Sequence, residues 1–334
     1  MAVAETAGRP PIPLAPVDSL AITTLVENTY DVFMPDQGPA HRKGPDPAGP
    51  RVPASTMVGR QAPDQLIAEH GFSMLLAVKA GNQVHRLLFD CGVSPTGMVE
   101  NMRRLGVDPT EIEAIVCSHG HFDHTTGLDG LIQRLGRRNL PVLIHPDFWN
   151  RRRVTLPGRP PNEIPTTSRQ ALEGAGFTIV EERQPSFLFQ STVLITGEVD
   201  RTTGYEPGFP IQQAWRNGAW EPDPLVLDDQ AVVINVRGKG LVVITGCGHA
   251  GVVNITRYAQ AITGVKDLYA LIGGFHLNGP LFEPLIGRVC ADLSAMNPQF
   301  LIPAHCTGWR AQHALARIFG DRFIPNAVGT RFEL

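Results

Sequence analysis

Apolar and β-branched runs alternate with stretches of helical spacing along most of the chain. In the C-terminal third, the runs at 230–236 and 240–245 flank Arg237-Gly-Lys239, which is typical of a hairpin. Further strands are predicted there at 268–272 and 299–303, and helices near 252–262, 281–293 and 309–319. Strands that alternate with helices in this way predict an α/β fold.

The N-terminal half shows the same alternation with more strands. A strand is predicted at 19–26, and the apolar stretches 72–79 and 84–89 are interrupted by Ala80-Gly-Asn82, which predicts a second hairpin. The remaining predicted strands are 112–117, 141–145, 177–180, 186–189 and 192–195, and the predicted helices are 98–105 and 128–135.

Segments rich in proline and glycine mark where the regular pattern is interrupted, and they predict a short arm followed by one domain. Residues 1–18 predict a disordered or draped N-terminal arm, and 19–334 a single domain with long loops at 34–64, 151–167 and 197–224. The 34–64 loop is either disordered or functional, as a lid or an oligomer contact. The 151–167 loop carries four arginines, which are either solvated or placed to meet an anionic substrate group.

Composition narrows the class of protein. The 334 residues are 43% hydrophobic and 18% charged, with a net charge of −3, which favours a globular protein and gives no basic surface for nucleic acid. The five cysteines form no CxxC pair, so a reducing compartment is favoured over a disulfide framework. Without a signal-peptide pattern or a bilayer-length apolar run, we expect a cytoplasmic protein with no membrane partner.

The segment Ser118-His-Gly-His-Phe-Asp-His-Thr-Thr-Gly-Leu128 carries the clearest chemistry. His119, His121, Asp123 and His124 directly follow the predicted strand 112–117, on a turn with two glycines. Imidazole nitrogen and carboxylate oxygen are ligands for zinc, manganese or iron, and this spacing is unlike that of an isolated structural histidine. The segment therefore predicts a metal site at the end of a strand.

Three more histidines each follow a strand in the C-terminal third. His249 comes after the first, His276 after the second and His305 after the third. Because parallel strands gather their carboxyl ends at one edge of a sheet, these three side chains are expected to converge. His70 and His145 are weaker candidates for the pocket, whereas His41, His85 and His313 fit structural or surface roles.

The motif His119-x-His-x-Asp-His124, followed by Gly127-Leu128, resembles the signature of the metallo-β-lactamase superfamily. The stretch Leu87-Leu-Phe-Asp-Cys-Gly92 is similar to a second motif of that superfamily. More narrowly, 68–73, 245–251, 273–277 and 305–308 resemble a subgroup that includes the archaeal dihydropterin ribofuranosyl-aminobenzene phosphate synthases. The resemblance implies a four-layer αβ/βα sandwich with two divalent metal ions in the cleft between its halves.

The resemblance also implies a ligand set. His119 and His121 would hold the first metal, Asp123 and His124 the second, and His305 matches the last superfamily ligand. The superfamily's Gly-His-Thr histidine is replaced here by Leu227-Asp-Asp-Gln230, and its bridging aspartate falls on Cys247. We infer that His249 replaces the missing histidine and that Cys247 either ligates as thiolate or lies just behind the site. Zinc is expected first, with manganese or iron as alternatives.

Such a site predicts hydrolysis, because a divalent ion lowers the pKa of bound water from about 16 to near 7. We expect an enzyme that directs a metal-bound hydroxide at a small-molecule ester, lactone, amide or phosphoester. Asp123 and His276 are the candidate catalytic residues, His276 as the acid for the leaving group, and Asp90 supports the cluster from behind. The alternatives are a pterin-type synthase that displaces a phosphate and a non-catalytic metal-binding sensor.

Overall fold

Two β-sheets packed face to face form the centre of the protein. The computed structural model describes residues 11–334. The strands are β1 Ser19–Val26, β2 Ala40–His41, β3 Arg51–Pro53, β4 Gln61–Pro63, β5 Ser73–Ala80, β6 Gln83–Phe89, β7 Ala114–Val116, β8 Pro141–Ile144, β9 Arg152–Val154, β10 Asn162–Ile164, β11 Thr178–Glu181, β12 Ser186–Leu188, β13 Val193–Ile195, β14 Gln212–Arg216, β15 Ala219–Pro222, β16 Val232–Val236, β17 Gly240–Thr245, β18 Leu268–Gly274, β19 Phe300–Ala304 and β20 Arg331–Glu333. The helices are α1 Gly97–Leu105, α2 Leu128–Leu135, α3 Arg169–Gly174, α4 Val252–Thr263, α5 Ile286–Met296 and α6 Trp309–Phe319.

The first sheet has eight strands in the order β11-β8-β7-β6-β5-β1-β20-β2, and the second has six in the order β12-β13-β16-β17-β18-β19. Neighbouring strands from β6 to β11 in the first sheet, and from β17 to β19 in the second, run parallel. One buried apolar cluster draws side chains from both sheets, such as Leu76 and Phe89 from the first and Ile234 and Ile244 from the second. The two sheets therefore share a core.

Helices cover the outer face of each sheet. Met102 of α1 and Leu131 of α2 pack on the first sheet. Ile255 of α4, Leu293 of α5 and Leu315 of α6 pack on the second sheet. The result is helix, sheet, sheet, helix, which confirms the predicted αβ/βα sandwich.

The predicted elements agree with the observed ones to within a few residues, apart from α5. That helix was expected over 281–293 but begins at Ile286, after a short 3₁₀ turn over Glu283–Leu285. Pro284 lacks a backbone N–H and is tolerated only in the first turn, so the regular helix starts after it.

The segments expected as long loops at 34–64, 151–167 and 197–224 contain short strands. Strands β9 and β10 from the second segment and β14 and β15 from the third form a separate four-stranded sheet in the order β10-β9-β14-β15. Strand β9 pairs with β14 about sixty residues further along the chain, and such pairing leaves no local signal.

The first ten residues of the predicted arm lie outside the described part of the chain. Its remainder lies against the second half of the sandwich, where Ile12 donates a backbone hydrogen bond to Ile262 and Ala15 to Ser191. Within residues 11–334, none of the helices is long and apolar enough to cross a membrane.

Candidate metal centre

The polar residues of the site follow the carboxyl ends of parallel strands in both sheets. Asp90 follows β6 and the 118–124 segment follows β7, while β17, β18 and β19 of the second sheet lead into the remaining residues. The side chains that meet between the two halves are His119, His121, Asp123, His124, Cys247, His249, His276 and His305. The structure thus brings together every residue that the sequence singled out as a ligand or catalytic group.

Three buried imidazoles form a first set, consisting of His119, His121 and His249. The Nε2 atom of His119 lies 2.9 Å from Nδ1 of His121, which in turn lies 3.2 Å from Nε2 of His249. Tetrahedral zinc with Zn–N bonds of about 2.0–2.1 Å requires nitrogens about 3.3 Å apart. The spacing of the first set is close to that requirement.

A second set combines Asp123, His124, Cys247 and His305, whose ligand atoms all lie within 4.8 Å of one another. The Nε2 atom of His124 lies 3.1 Å from Sγ of Cys247, and Oδ2 of Asp123 lies 3.3 Å from Nε2 of His305. Oxygen, nitrogen and sulfur donors together suit zinc or iron rather than magnesium or calcium.

Cys247 also belongs to a third grouping, with His249 and His276. Its thiol therefore lies between the first and second sets. The half-buried His276 ring lies 4.2 Å from the His249 ring, measured between centroids, and its Nδ1 atom has no hydrogen-bond partner among the described residues.

Asp90 supports the cluster from behind, as expected. Its carboxylate accepts from His124 Nδ1 at 2.7 Å and from Ser118 Oγ at 2.8 Å. Because the Ser118 hydroxyl donates to Asp90, it must accept from Nδ1 of His119 at 2.9 Å. The Nε2 atom of His119 is then left with a lone pair directed at the first set, and the Nε2 atom of His124 faces the second set.

The sequence Leu227-Asp-Asp-Gln230, which stands where the superfamily often has a histidine, places two carboxylates behind the ligands. Asp228 accepts from the backbone N–H of Gly120, between His119 and His121, at 2.8 Å. Asp229 accepts from the N–H of Ala250, next to His249, at 2.8 Å. Supporting roles for these two residues were not predicted, although the departure from the family pattern pointed to their position.

Glu27 performs a similar task for His305 and was also missed. Its buried carboxylate accepts from the His305 backbone N–H, with the shorter distance 2.9 Å, and from Asn326 at 3.0 Å. Glu27 directly follows β1, nearly 280 residues before His305 in the chain, so no spacing in the sequence links them.

Arg152 lies neither in solvent nor where it could meet an anionic substrate, the two positions expected for the arginines of the 151–167 segment. It is only 1% exposed and pairs with Asp228 at 2.6 Å and Asp223 at 3.3 Å. Both a solvated position and contact with an anionic substrate are therefore wrong for this arginine, because β9 carries its side chain into the interior.

Burial and neighbouring charges shift the pKa values of the histidines in opposite directions in the two sets. Burial, with Arg152 next, lowers the pKa of His121 to about 4, and burial also holds the pKa of His119 and His249 well below the ordinary value. The pKa of His124 is instead raised to about 9, because Asp90 and Asp123 outweigh the effect of burial. The first set is thus neutral and ready for a cation, whereas a cation at the second must displace a proton.

The donor atoms fit a bound cation. The buried Nδ1 atoms of His249 and His305 have no hydrogen-bond partner among the described residues, and Nε2 of His305 has only Oδ2 of Asp123 beside it, at 3.3 Å. Unpaired buried polar atoms are costly, and lone pairs facing each other repel, unless an ion lies between them. A divalent cation at each set would lie between the facing donor atoms and remove their repulsion.

Backbone strain accompanies the site. Asp90, His276 and His305 all adopt left-handed conformations, with φ of 57°, 45° and 49°. Such conformations cost a non-glycine residue on the order of 1 kcal/mol and concentrate at functional sites. The backbone of Gly246 also packs closely against Ser118, because a Cβ atom at Gly246 would lie 2.1 Å from Oγ of Ser118. Only glycine fits at this position.

The two weaker histidine candidates differ in their positions. His70 lies at the rim, with Nε2 3.8 Å from Oδ2 of Asp123 and its ring 4.9 Å from that of His305. His145 instead pairs with Glu198 at 2.9 Å, which marks it as a structural residue.

An apolar wall lies beside His249 and His276. Phe209 lies 5.2 Å from the His249 ring and 5.1 Å from the His276 ring, and Phe282 lies 4.6 Å from the latter. A small pocket between Gly208, Phe275, Leu277 and Phe282 opens next to both histidines. The polar cluster is thus bounded on one side by surface suited to carbon-rich groups.

An αβ/βα sandwich with a histidine, aspartate and cysteine cluster between its sheets defines a class of metal-dependent enzymes. The sequence profile of the metallo-beta-lactamase superfamily matches residues 71–260, more than half of the chain. The protein belongs to the metallo-β-lactamase superfamily.

Individual relatives show which subgroup of the superfamily the chain resembles. The chain is 29% identical over 265 residues to a 7,8-dihydropterin-6-methyl-4-(β-D-ribofuranosyl)-aminobenzene-5′-phosphate synthase of Methanocaldococcus jannaschii, covering 77% of this chain and 87% of that protein. An uncharacterised protein of the same organism is 28% identical over 278 residues, covering 82% of this chain and 96% of its own. The predicted resemblance to this synthase subgroup is therefore confirmed.

A solved structure described as a metal-dependent hydrolase of the beta-lactamase superfamily, Tm1679, superposes with a TM-score of 0.70. The match covers 94% of this chain and 99% of that one at 22% sequence identity, so it supports the fold.

Proposed function

We propose that the protein is a metal-dependent hydrolase of small-molecule esters, lactones, amides or phosphoesters. The observation that carries the proposal is the pair of adjacent ligand sets between the two sheets, one made of three imidazoles and the other including the Cys247 thiol. Membership of the superfamily supports a metal-dependent enzyme, and the residues of the site, rather than the fold, decide which reaction it performs.

His119, His121 and His249 would hold the first ion, and Asp123, His124, Cys247 and His305 the second. Zinc suits these donors best, with manganese or iron as alternatives. When bound, two divalent ions supply a water of lowered pKa and polarise the scissile carbonyl or phosphoryl oxygen.

The side chains around the ligands have separate tasks. We assign to His276 the protonation of the leaving group, because its unpaired Nδ1 and half-buried ring adjoin the apolar pocket. Asp123, partly exposed beside His305, would act on the substrate side of the second set. The phenyl rings of Phe209 and Phe282 exclude water and bind the carbon skeleton of the substrate.

The test is hydrolysis of an ester, lactone, amide and phosphoester panel by zinc-, manganese- and iron-loaded protein, with metal content measured in parallel. His121→Ala should lose the first metal and at least a hundredfold in kcat/KM. His313→Ala is the matched control, since that histidine is exposed on α6. Unchanged turnover after metal removal would refute the proposal, and bound metal without turnover on any substrate would favour a sensor.

A phosphate-displacing synthase is the second candidate, favoured by the 29% identity to the M. jannaschii synthase. It differs from a hydrolase in needing a second organic substrate. Phosphate release that occurs only when an aromatic amine or pterin co-substrate is added would support it, whereas release in water alone would support the hydrolase.

A further inference from the structure

Gln212 joins the separate four-stranded sheet to the metal centre. It is the first residue of β14, is only 1% exposed, and places its Oε1 atom 2.5 Å from Nε2 of His121. Among the described residues, no other side chain of that sheet forms a hydrogen bond to a ligand candidate. A segment remote in sequence thus reaches one ring nitrogen of the first set.

The orientation of the Gln212 amide is fixed by its other end. Its Nε2 atom donates to Oδ2 of Asp223 at 2.9 Å. That carboxylate also accepts from Arg152 at 3.3 Å and from Arg216 at 2.8 Å, so it is held as a charged acceptor. Rotating the amide by 180° would set its oxygen against this carboxylate, which is unfavourable.

The fixed amide determines which nitrogen of His121 carries the proton. A carbonyl oxygen only accepts hydrogen bonds, so Nε2 of His121 must be the donor. Its Nδ1 atom is left with a lone pair, and Nδ1 is the nitrogen that faces His119 and His249. We propose that Gln212 is a positioning residue that holds His121 in the tautomer able to bind the first metal.

The same network holds the backbone beside His121. Arg152 donates to Asp228 at 2.6 Å, and Asp228 accepts from the Gly120 N–H. The single guanidinium therefore connects two carboxylates, one acting on the His121 ring through Gln212 and the other on its backbone. In this arrangement the separate sheet serves the metal centre, and the inference rests on the metal centre of the proposed function.

A swap of the two polar partners separates positioning from simple packing. Gln212→Leu removes the acceptor and should weaken binding of the first zinc ion 10- to 100-fold, the range found for partners of metal-bound histidines. Gln212→Glu combined with Asp223→Asn keeps the net charge and an acceptor for Nε2 of His121, and reverses the hydrogen bond between positions 212 and 223. Arg152 loses its acceptor at position 223 and keeps Asp228. Because the acceptor for His121 remains, the pair should restore the affinity to within about threefold of the wild type. Gln213→Leu, the same change on the adjacent residue, is the matched control; Gln213 bonds to Arg153 instead.

Zinc affinity is measured by chelator competition on the full-length protein. Nitrogen-15 NMR of labelled histidines reports the His121 tautomer after chelator treatment, independently of turnover and metal binding, with His121→Ala assigning the signal. The proposal predicts a proton on Nε2 in the wild type and a mixture of tautomers in Gln212→Leu.

Three results would overturn the assignment. They are a wild-type proton on Nδ1, first-site affinity unchanged in Gln212→Leu, or failure of the paired swap to restore affinity while its fold is intact. If the wild type bound none of zinc, manganese and iron, the proposed function would fail, and the NMR result would still decide the role of Gln212.

Discussion

Asp229→Asn should make the metal-free protein more stable at neutral pH. Asp229 is fully buried beside His249; its Oδ2 accepts from Ala250, while Oδ1 has no partner among the described residues. Burial raises its pKa from 3.8 to about 6, although the Ala250 N–H and Arg201 oppose the shift. Asparagine keeps an oxygen for Ala250 and carries no charge to bury.

The sign and size of the change in the free energy of unfolding follow from the linkage between protonation and folding. With a raised pKa, the folded protein binds more protons than the unfolded chain between pH 3.8 and about 6, so stability falls as pH rises through that window. Moving the pKa from 3.8 to about 6 corresponds to about 2–3 kcal/mol. The advantage of the variant should therefore be near zero below pH 4 and reach about 2–3 kcal/mol above pH 6.

Urea unfolding of chelator-treated protein between pH 4 and pH 8 measures this difference, with the exposed Asp129→Asn as control. Zinc at the adjacent histidines favours the ionised carboxylate, so loading should reduce the advantage. A variant less stable than wild type at pH 8, or equally stable at every pH, would refute the reasoning that burial dominates at Asp229.

Two further predictions concern single side chains of the centre. Cys247→Ser should lower bound zinc from two ions to one per chain by elemental analysis, and Cys247→Asp should restore two; a serine variant that keeps both ions would contradict a thiolate ligand. Arg152→Met should cost about 3–5 kcal/mol in urea unfolding, because Asp228 would remain buried without its cation and Asp223 would keep only Arg216. Arg153→Met, one residue on and partly exposed, should cost under about 1 kcal/mol, and equal losses for the two would contradict the argument.

The sequence predicted strands and site residues correctly where the pattern is local. The run before His119 identified a buried strand, and the spacing of the 118–128 segment identified a metal motif, because consecutive residues leave one strand end together. The three strands of the C-terminal third were also recognised, and their parallel order gathers His249, His276 and His305 at one edge.

The same reasoning failed where contacts join distant parts of the chain. Strand β9 was expected as a loop, since it is stabilised by a partner about sixty residues away and not by its own alternation. Strands β14 and β15 do carry a local signal that was missed, the two-residue hairpin turn Asn217-Gly218, in which both residues have positive φ. Arg152 was expected either in solvent or against an anionic substrate group, because a charged residue among prolines usually lies at the surface, whereas two buried carboxylates offset its charge.

The sequence by itself determined the alternation of strands and helices and the ligand candidates, since periodicity and motif spacing are written into neighbouring residues, and its resemblance to the superfamily implied the sandwich. Asp90 was expected from the sequence to support the ligands, but only the tertiary structure decided that Glu27 lies behind His305 and Gln212 behind His121. These partners are brought together by the packing of two sheets and an inserted third. Hydrogen-bond direction, tautomer and pKa depend on that packing, and the order of residues alone does not express it.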